Sequence, residues 1–252
     1  MRHLLRMLLG CGLLALSAMA PVEAAEQATQ QTPVDASLHS RLQQALNSPG
    51  GSELTDLLGG EQALALQSRY RIFSAQFPDA RWSVGAGRAL QDGRQTVNVS
   101  VSGIKQQAGV SYSLEAKQRL VLSTEAGRIV DQEVIAEQSV LRNTIKPLAI
   151  SLIIPDAVLT GSRYDVDVIL DQPLGDALVA GGLIALSPLQ VRGQFSPDIQ
   201  LEPLGGGGLF KSVKAPFLPG HQTWAALLVH PDGLISVTKR VRVVDNKGDL
   251  TP

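Results

Sequence analysis

The sequence is short of the residue types that carry most covalent and metal chemistry. Its 252 residues include one cysteine and four histidines. A lone cysteine closes no intramolecular disulfide and builds no cysteine-based zinc site. The histidines follow no ligand spacing and adjoin no carboxylate cluster, so neither a metal nor a cofactor is expected. Aromatic residues make up 4 % of the chain, too few for a platform on which bases or sugars stack. Basic charge is not in surplus either. Lys and Arg total 22 against 23 Asp and Glu, a net charge of −1 with a pI near 6.4, which argues against nucleic acid or an anionic membrane as the main partner. No apolar run reaches the roughly 20 residues of a spanning helix. No Gly-x-Ser-x-Gly elbow and no triad-like spacing of Ser and His occur.

What the chain does have is enough apolar material to fold. Hydrophobic residues are 44 % and charged residues 18 % of the total. Arg2 and Arg6 precede a short apolar run, LLGCGLLALSAMA, and small residues follow in PVEAAE. Residues 1–25 therefore read as a signal peptide cleaved after Ala24 or Ala25, and the protein as exported, periplasmic or extracellular, and soluble. Cys11 sits too close to Arg6, and too early in the apolar run, for a lipoprotein processing box. Residues 26–36 are polar and aperiodic and read as a flexible spacer.

From Ser37 the pattern is helical, with Leu38, Leu42, Ala45 and Leu46 at three- and four-residue spacings. A second helix is expected from about Glu61 to Gln76, with Leu64, Ala65, Tyr70, Ile72 and Phe73 as its apolar positions. Pro78 stops it. The period then changes to two. In TVNVSVSG, Val97, Val99 and Val101 alternate with Asn98, Ser100 and Ser102. Strands VSYSLEAKQRLVL and IVDQEVIAEQSVL follow, joined by Gly-bearing turns. Helices followed by antiparallel strands describe an α+β domain over residues 37–142. After a linker at 143–147, residues 148–246 carry short strand-like runs separated by Gly, Pro and Asp turns, the pattern of an all-β sandwich. Residues 247–252 form a tail.

The order amphipathic helix, FPDARWSV, DGRQTVNVSVSG, a long strand and GRIVDQEVIAEQSVLR resembles the nuclear-transport-factor-2-like superfamily, in particular its SnoaL-like branch. The resemblance implies an α+β cone, a curved antiparallel sheet with helices across it and a central cavity. Tyr70, Phe73, Trp82, Tyr112, Asp131 and Glu133 are then the candidate pocket residues. The superfamily contains isomerases and hydro-lyases as well as members that only bind or dimerise. None of these side chains matches a catalytic position of its enzymes. The leading expectation is a non-catalytic binding or assembly protein, taking a small apolar ligand or a protein partner in the cavity or on the sheet face, with homodimerisation an option. The alternatives are an isomerase or hydro-lyase using an acid–base pair among Tyr70, Tyr112, Asp131 and Glu133, and a structural cell-envelope protein. The second half resembles an immunoglobulin-like or fibronectin-type module in strand pattern alone.

Three local motifs invite chemical readings and fail them. GGGGLFKS has Phe210 where a phosphate loop needs glycine before the lysine. GAGRAL carries Leu90 where a dinucleotide fingerprint needs a small residue. HPDG at 230–233 reads as a hairpin turn between the last two strands. TKRVRVV carries Lys239, Arg240 and Arg242, with Arg240 and Arg242 on one strand face and Val241 and Val243 on the other; this suggests a charged edge strand that discourages pairing, with a small anion-attracting stripe as the alternative.

Overall fold

Helix α1, Ala36–Asn47, buries the four residues its spacing singled out, Leu38, Leu42, Ala45 and Leu46. A 3-10 turn at Pro49–Gly51 and a one-turn helix α2, Leu54–Leu57, lead to α3, Ala63–Gln76. The stripe of α3 that faces inward is Leu66, Tyr70 and Phe73. Leu64 and Ile72, expected on that stripe, are exposed, because a step of four from Leu66 selects Tyr70 and turns both of them outward. The structure, a computed structural model, describes residues 36–60, 63–144, 146–172, 175, 177–193 and 197–250. The expected signal peptide and nearly all of the spacer lie outside the described residues.

Strands β1 (Arg81–Ala86), β2 (Val97–Gln107), β3 (Val110–Glu125) and β4 (Arg128–Asn143) form an antiparallel meander. Its two long hairpins turn on Ala108-Gly109 and Ala126-Gly127, where every residue has positive φ. That is the geometry whose twist suits a two-residue connection. The helices cover the face carrying Val97, Val99, Val101, Leu114, Leu120 and Leu141, and these side chains form one core with the inward stripes of α1 and α3.

The chain then alternates between two sheets. Strands β5 (Ile150–Ile153), β7 (Arg163–Leu170) and β10 (Gly208–Lys214) make a small sheet in the order β10-β7-β5. Strands β6 (Ala157–Leu159), β8 (Ala180–Leu186), β9 (Glu202–Pro203), β11 (Gly220–His230) and β12 (Gly233–Val244) join the meander instead. The result is one nine-stranded sheet, β1-β2-β3-β4-β12-β11-β8-β9, with β6 parallel to the end of β12. Within the stretch expected to hold only strand-like runs and turns, Pro188–Gly193 form a short helix, α4.

This arrangement corrects the expectation of an α+β cone followed by a separate β-sandwich. Strand β12 pairs with β4 from Ile235↔Arg142 to Arg240↔Glu137, and with β11 along its other side. The ladder thus runs unbroken from the helical half into the second half, and strand dominates the fold. The small sheet packs on the face opposite the helices, where Val166, Val168, Trp224, Val237 and Val241 are buried. The helices cover one end of one face, the small sheet the other end of the other face. The same pairing overturns the edge-strand reading of TKRVRVV: β12 is a central strand.

Candidate functional site

Directly paired residues of neighbouring strands share a face, so the register assigns every side chain of the meander to a side. Trp82, Val101 and Ala116 align on the helix side. With them stand Tyr70, Phe73 and Tyr112, all buried. The Trp82 ring lies 6.3 Å from Tyr70 and 5.3 Å from Phe73, centroid to centroid. The Tyr70 hydroxyl donates to the Leu46 carbonyl at 2.7 Å, which satisfies its one polar group inside the core. These four aromatic residues are packing residues. The void beside Tyr70, lined by Leu42, Leu46, Leu54, Leu66 and Leu122, measures about 10 Å³, room for about one water at most. It cannot hold the small apolar ligand that a central cavity implied.

Asp131 and Glu133 are exposed and fall on the other register, opposite Ser123 and Val121. Glu133 pairs with Arg94 of the β1–β2 connection and lies 4.0 Å from Arg242. The structure therefore brings Tyr70, Phe73 and Trp82 together, with Tyr112 in the same core, and does not bring the two carboxylates to them. An acid–base pair made of one tyrosine and one of these acids is not assembled.

The open site lies on the face away from the helices. One cross-strand row runs Ser100, Lys117, Gln138 and Lys239 over β2, β3, β4 and β12. The adjoining row runs Asn98, Arg119 and Ala136. The small sheet stops short of these rows, and a groove of about 430 Å³ opens above them. Ala136 contributes to the depth, since a larger side chain there would fill the space beside Arg119. Asp156, in the connection between β5 and β6, forms the wall. Its main-chain carbonyl accepts from the Arg242 N–H at 2.9 Å, which fixes it at the start of β6. Its carboxylate bridges two cations, Oδ2 accepting from Arg119 Nη2 at 3.2 Å and Oδ1 accepting from Lys239 Nζ. Lys239 is buried, and a buried ammonium needs such a partner. Lys117 is exposed and makes no ion pair among the described residues.

Behind this floor, on the helix side, lies a second polar row. Gln118, Glu137 and Arg240 align across β3, β4 and β12. Gln118 Nε2 donates to Glu137 at 2.8 Å, and Arg240 Nη1 stands 3.8 Å from the same carboxylate. Burial pushes the Glu137 carboxyl above its ordinary value, while Arg240, Gln118 and Arg69 of α3 pull it back. Ser139 and Thr238 share a hydrogen bond of 2.6 Å in the next row. The joint between the two halves is therefore sewn by polar side chains on both faces.

Among the described residues no group of three or more His, Cys, Asp or Glu could hold a metal ion. Among the same residues no helix is long and apolar enough to cross a membrane. The groove offers ammonium and guanidinium donors, side-chain amides and one hydroxyl, which is the chemistry of anion and hydroxyl recognition. Sequence reading missed it because its cations come from β3 and β12. Two signals were available: the polar side of the alternation at Asn98 and Ser100, and the cations of TKRVRVV, which read instead as those of a charged edge.

A family model described as a domain of unknown function (DUF8623) matches residues 145–244, the part of the chain that holds β5 to β12. No curated protein matches the chain.

Proposed function

We propose that the protein is an exported, non-catalytic binding protein that takes its ligand or partner on the sheet face opposite the helices, at the Lys117–Arg119–Lys239 groove. One observation carries this reading. The void in the helix-side core beside Tyr70 holds about 10 Å³, whereas the groove on the other face keeps about 430 Å³ open. A volume of that order lies in the range of small-molecule sites, roughly 300–1,000 Å³. The groove is also built on rigid strands of a continuous ladder, so its donors are held in place before any ligand arrives. Export rests on the N-terminal sequence, Arg2 and Arg6 followed by the apolar run and small residues.

A fragment screen by two-dimensional NMR of the full chain tests the reading. Shifts should cluster on the amides of Ser100, Lys117, Arg119, Gln138 and Lys239. Hits confined to Leu42, Leu66 and Tyr70, or a library with no groove hits, would sink it. Native mass spectrometry of the same preparation reports any co-purifying ligand and the oligomeric state.

A further inference from the structure

We propose that the groove binds a small hydroxylated carboxylate of sugar-acid size, with Lys117 and Arg119 holding the carboxylate and Asn98, Ser100 and Gln138 taking hydroxyls. This rests on the groove being the binding site and adds the ligand's class.

Charge is the first argument. Lys117, Arg119 and Lys239 line the groove, and Asp156 is the acid that faces them. Glu137 also borders the space, but its carboxylate belongs to the other face, where Gln118 and Arg240 engage it. One carboxylate against three cations leaves an unmatched positive field, concentrated at the exposed Lys117.

Donor geometry is the second. Lys117 and Arg119 are alternate residues of β3, so they point the same way about 7 Å apart. A carboxylate between them can accept from both. Arg119 uses Nη2 on Asp156, while its Nε, shut off from solvent, has no acceptor. A guanidinium presents a fork of donors suited to a planar carboxylate. A carboxylate settling beside Lys117 supplies that fork with the second acceptor it lacks, through a small rotation of the arginine head.

Size and surroundings are the third. About 430 Å³ far exceeds an inorganic anion, which would leave the amides of Asn98 and Gln138 and the Ser100 hydroxyl idle. Among the described residues no aromatic side chain lines the groove. A ligand recognised by stacking, such as a nucleobase, finds no platform there. Amides and a hydroxyl arranged around a cation pair fit a compact molecule carrying hydroxyls and one acid group.

The test is calorimetric titration of the full chain, at low ionic strength, with D-glucuronate, D-galacturonate, D-glucose and inorganic phosphate. At least one sugar acid should bind saturably and glucose should not. Added salt should weaken binding, and Lys117→Ala should weaken it by about tenfold or more. Lys117 is exposed, so that variant keeps its fold, which its melting curve confirms. Glucose binding as tightly as the acids would overturn the proposal while leaving the groove a binding site. Phosphate binding with no sugar-acid binding would overturn it in favour of an inorganic-anion site. Binding indifferent to Lys117→Ala would place the acid elsewhere and overturn it. If no probe binds although fragments still map to the groove, the ligand class alone is wrong. If fragments also avoid the groove, the proposed function fails with it.

Discussion

Asp156 reaches from the connection between β5 and β6 to Arg119 on β3, its Oδ2 accepting from the guanidinium at 3.2 Å. The same carboxylate holds Lys239 of β12. It therefore ties the meander to the strand that continues the sheet, at the edge of the open groove.

Asp156→Ala should destabilise the protein by about 2 kcal/mol, since it strands a buried ammonium; the figure is discounted because the aspartate itself is partly solvated. Urea unfolding measures the loss. Adding Lys239→Met should recover most of it, because an uncharged side chain of similar length removes the stranded charge. A double variant as unstable as the single one would mean that the pair contributes through something other than charge neutralisation.

The outer edge of β1 is closed by side chains. Asn47, the last residue of α1, accepts from the Trp82 N–H at 3.0 Å and donates to the Trp82 carbonyl at 2.9 Å. Gln43 accepts from the Val84 N–H at 2.9 Å. The two amides take the place of a neighbouring strand and cover an edge that would otherwise invite another chain. Asn47→Ala should cost about 1–2 kcal/mol and speed exchange of the Trp82 amide hydrogen. Light scattering should show some self-association in the variant; unchanged exchange at Trp82 would show that the edge stays closed without Asn47.

Part of this was legible from the chain. The alternation at Val97, Val99 and Val101 predicted the buried side of β2, and the three residues are 0 %, 2 % and 6 % exposed. The faces of β4 were not legible. Glu133 and Glu137 are separated by an even number of positions, so simple alternation puts them on one side. The register shift at Arg119/Leu120 breaks that parity. Glu137 aligns with Gln118 on the helix side, and Glu133 with Val121 on the other. The groove was hidden for a related reason. Lys239 finds its carboxylate 83 positions away, and local periodicity carries no information on which strand lies beside which. The charges of TKRVRVV therefore read as those of an edge, although Lys239 and Arg240 are buried on opposite faces of a central strand.

Gly182 of β8 lies under the segment that leads from α4 to β9. A Cβ built there would stand 2.2 Å from the Gln200 carbonyl oxygen and 2.5 Å from an Ile199 methyl. Neither is the free end of a flexible side chain, so the segment must lift. Gly182→Ala should cost about 1–3 kcal/mol and lower the melting temperature. Gly85→Ala in β1 is the control, because a Cβ there meets nothing within 4 Å. Alanine reduces the freedom of the unfolded chain, so that variant should match or slightly exceed the parent. Equal melting temperatures for the two variants would mean that the segment over β8 is not held against the sheet.

His221 supplies a pH dependence whose sign can be worked out. It stands across from Arg242 in the ladder. Burial, with the Arg240 guanidinium adding to it, lowers the imidazole from 6.5 to about 4. A depressed basic group is neutral in the folded protein over a range where the unfolded chain already binds a proton. Its contribution to stability is therefore intact above pH 6.5 and is lost as the pH falls towards 4. Replacing it with glutamine should remove that component. The stability difference between parent and His221→Gln should be flat above neutrality. It should shift in the variant's favour by about 1–2 kcal/mol on acidification, a range reduced for the solvent that still reaches the ring. Comparing the two proteins by urea unfolding at a series of pH values cancels the carboxylates that titrate in both. A difference that stayed constant from neutrality down to pH 4 would mean that the folded protein protonates His221 as readily as the unfolded chain does, and that the buried arginine row does not reach it.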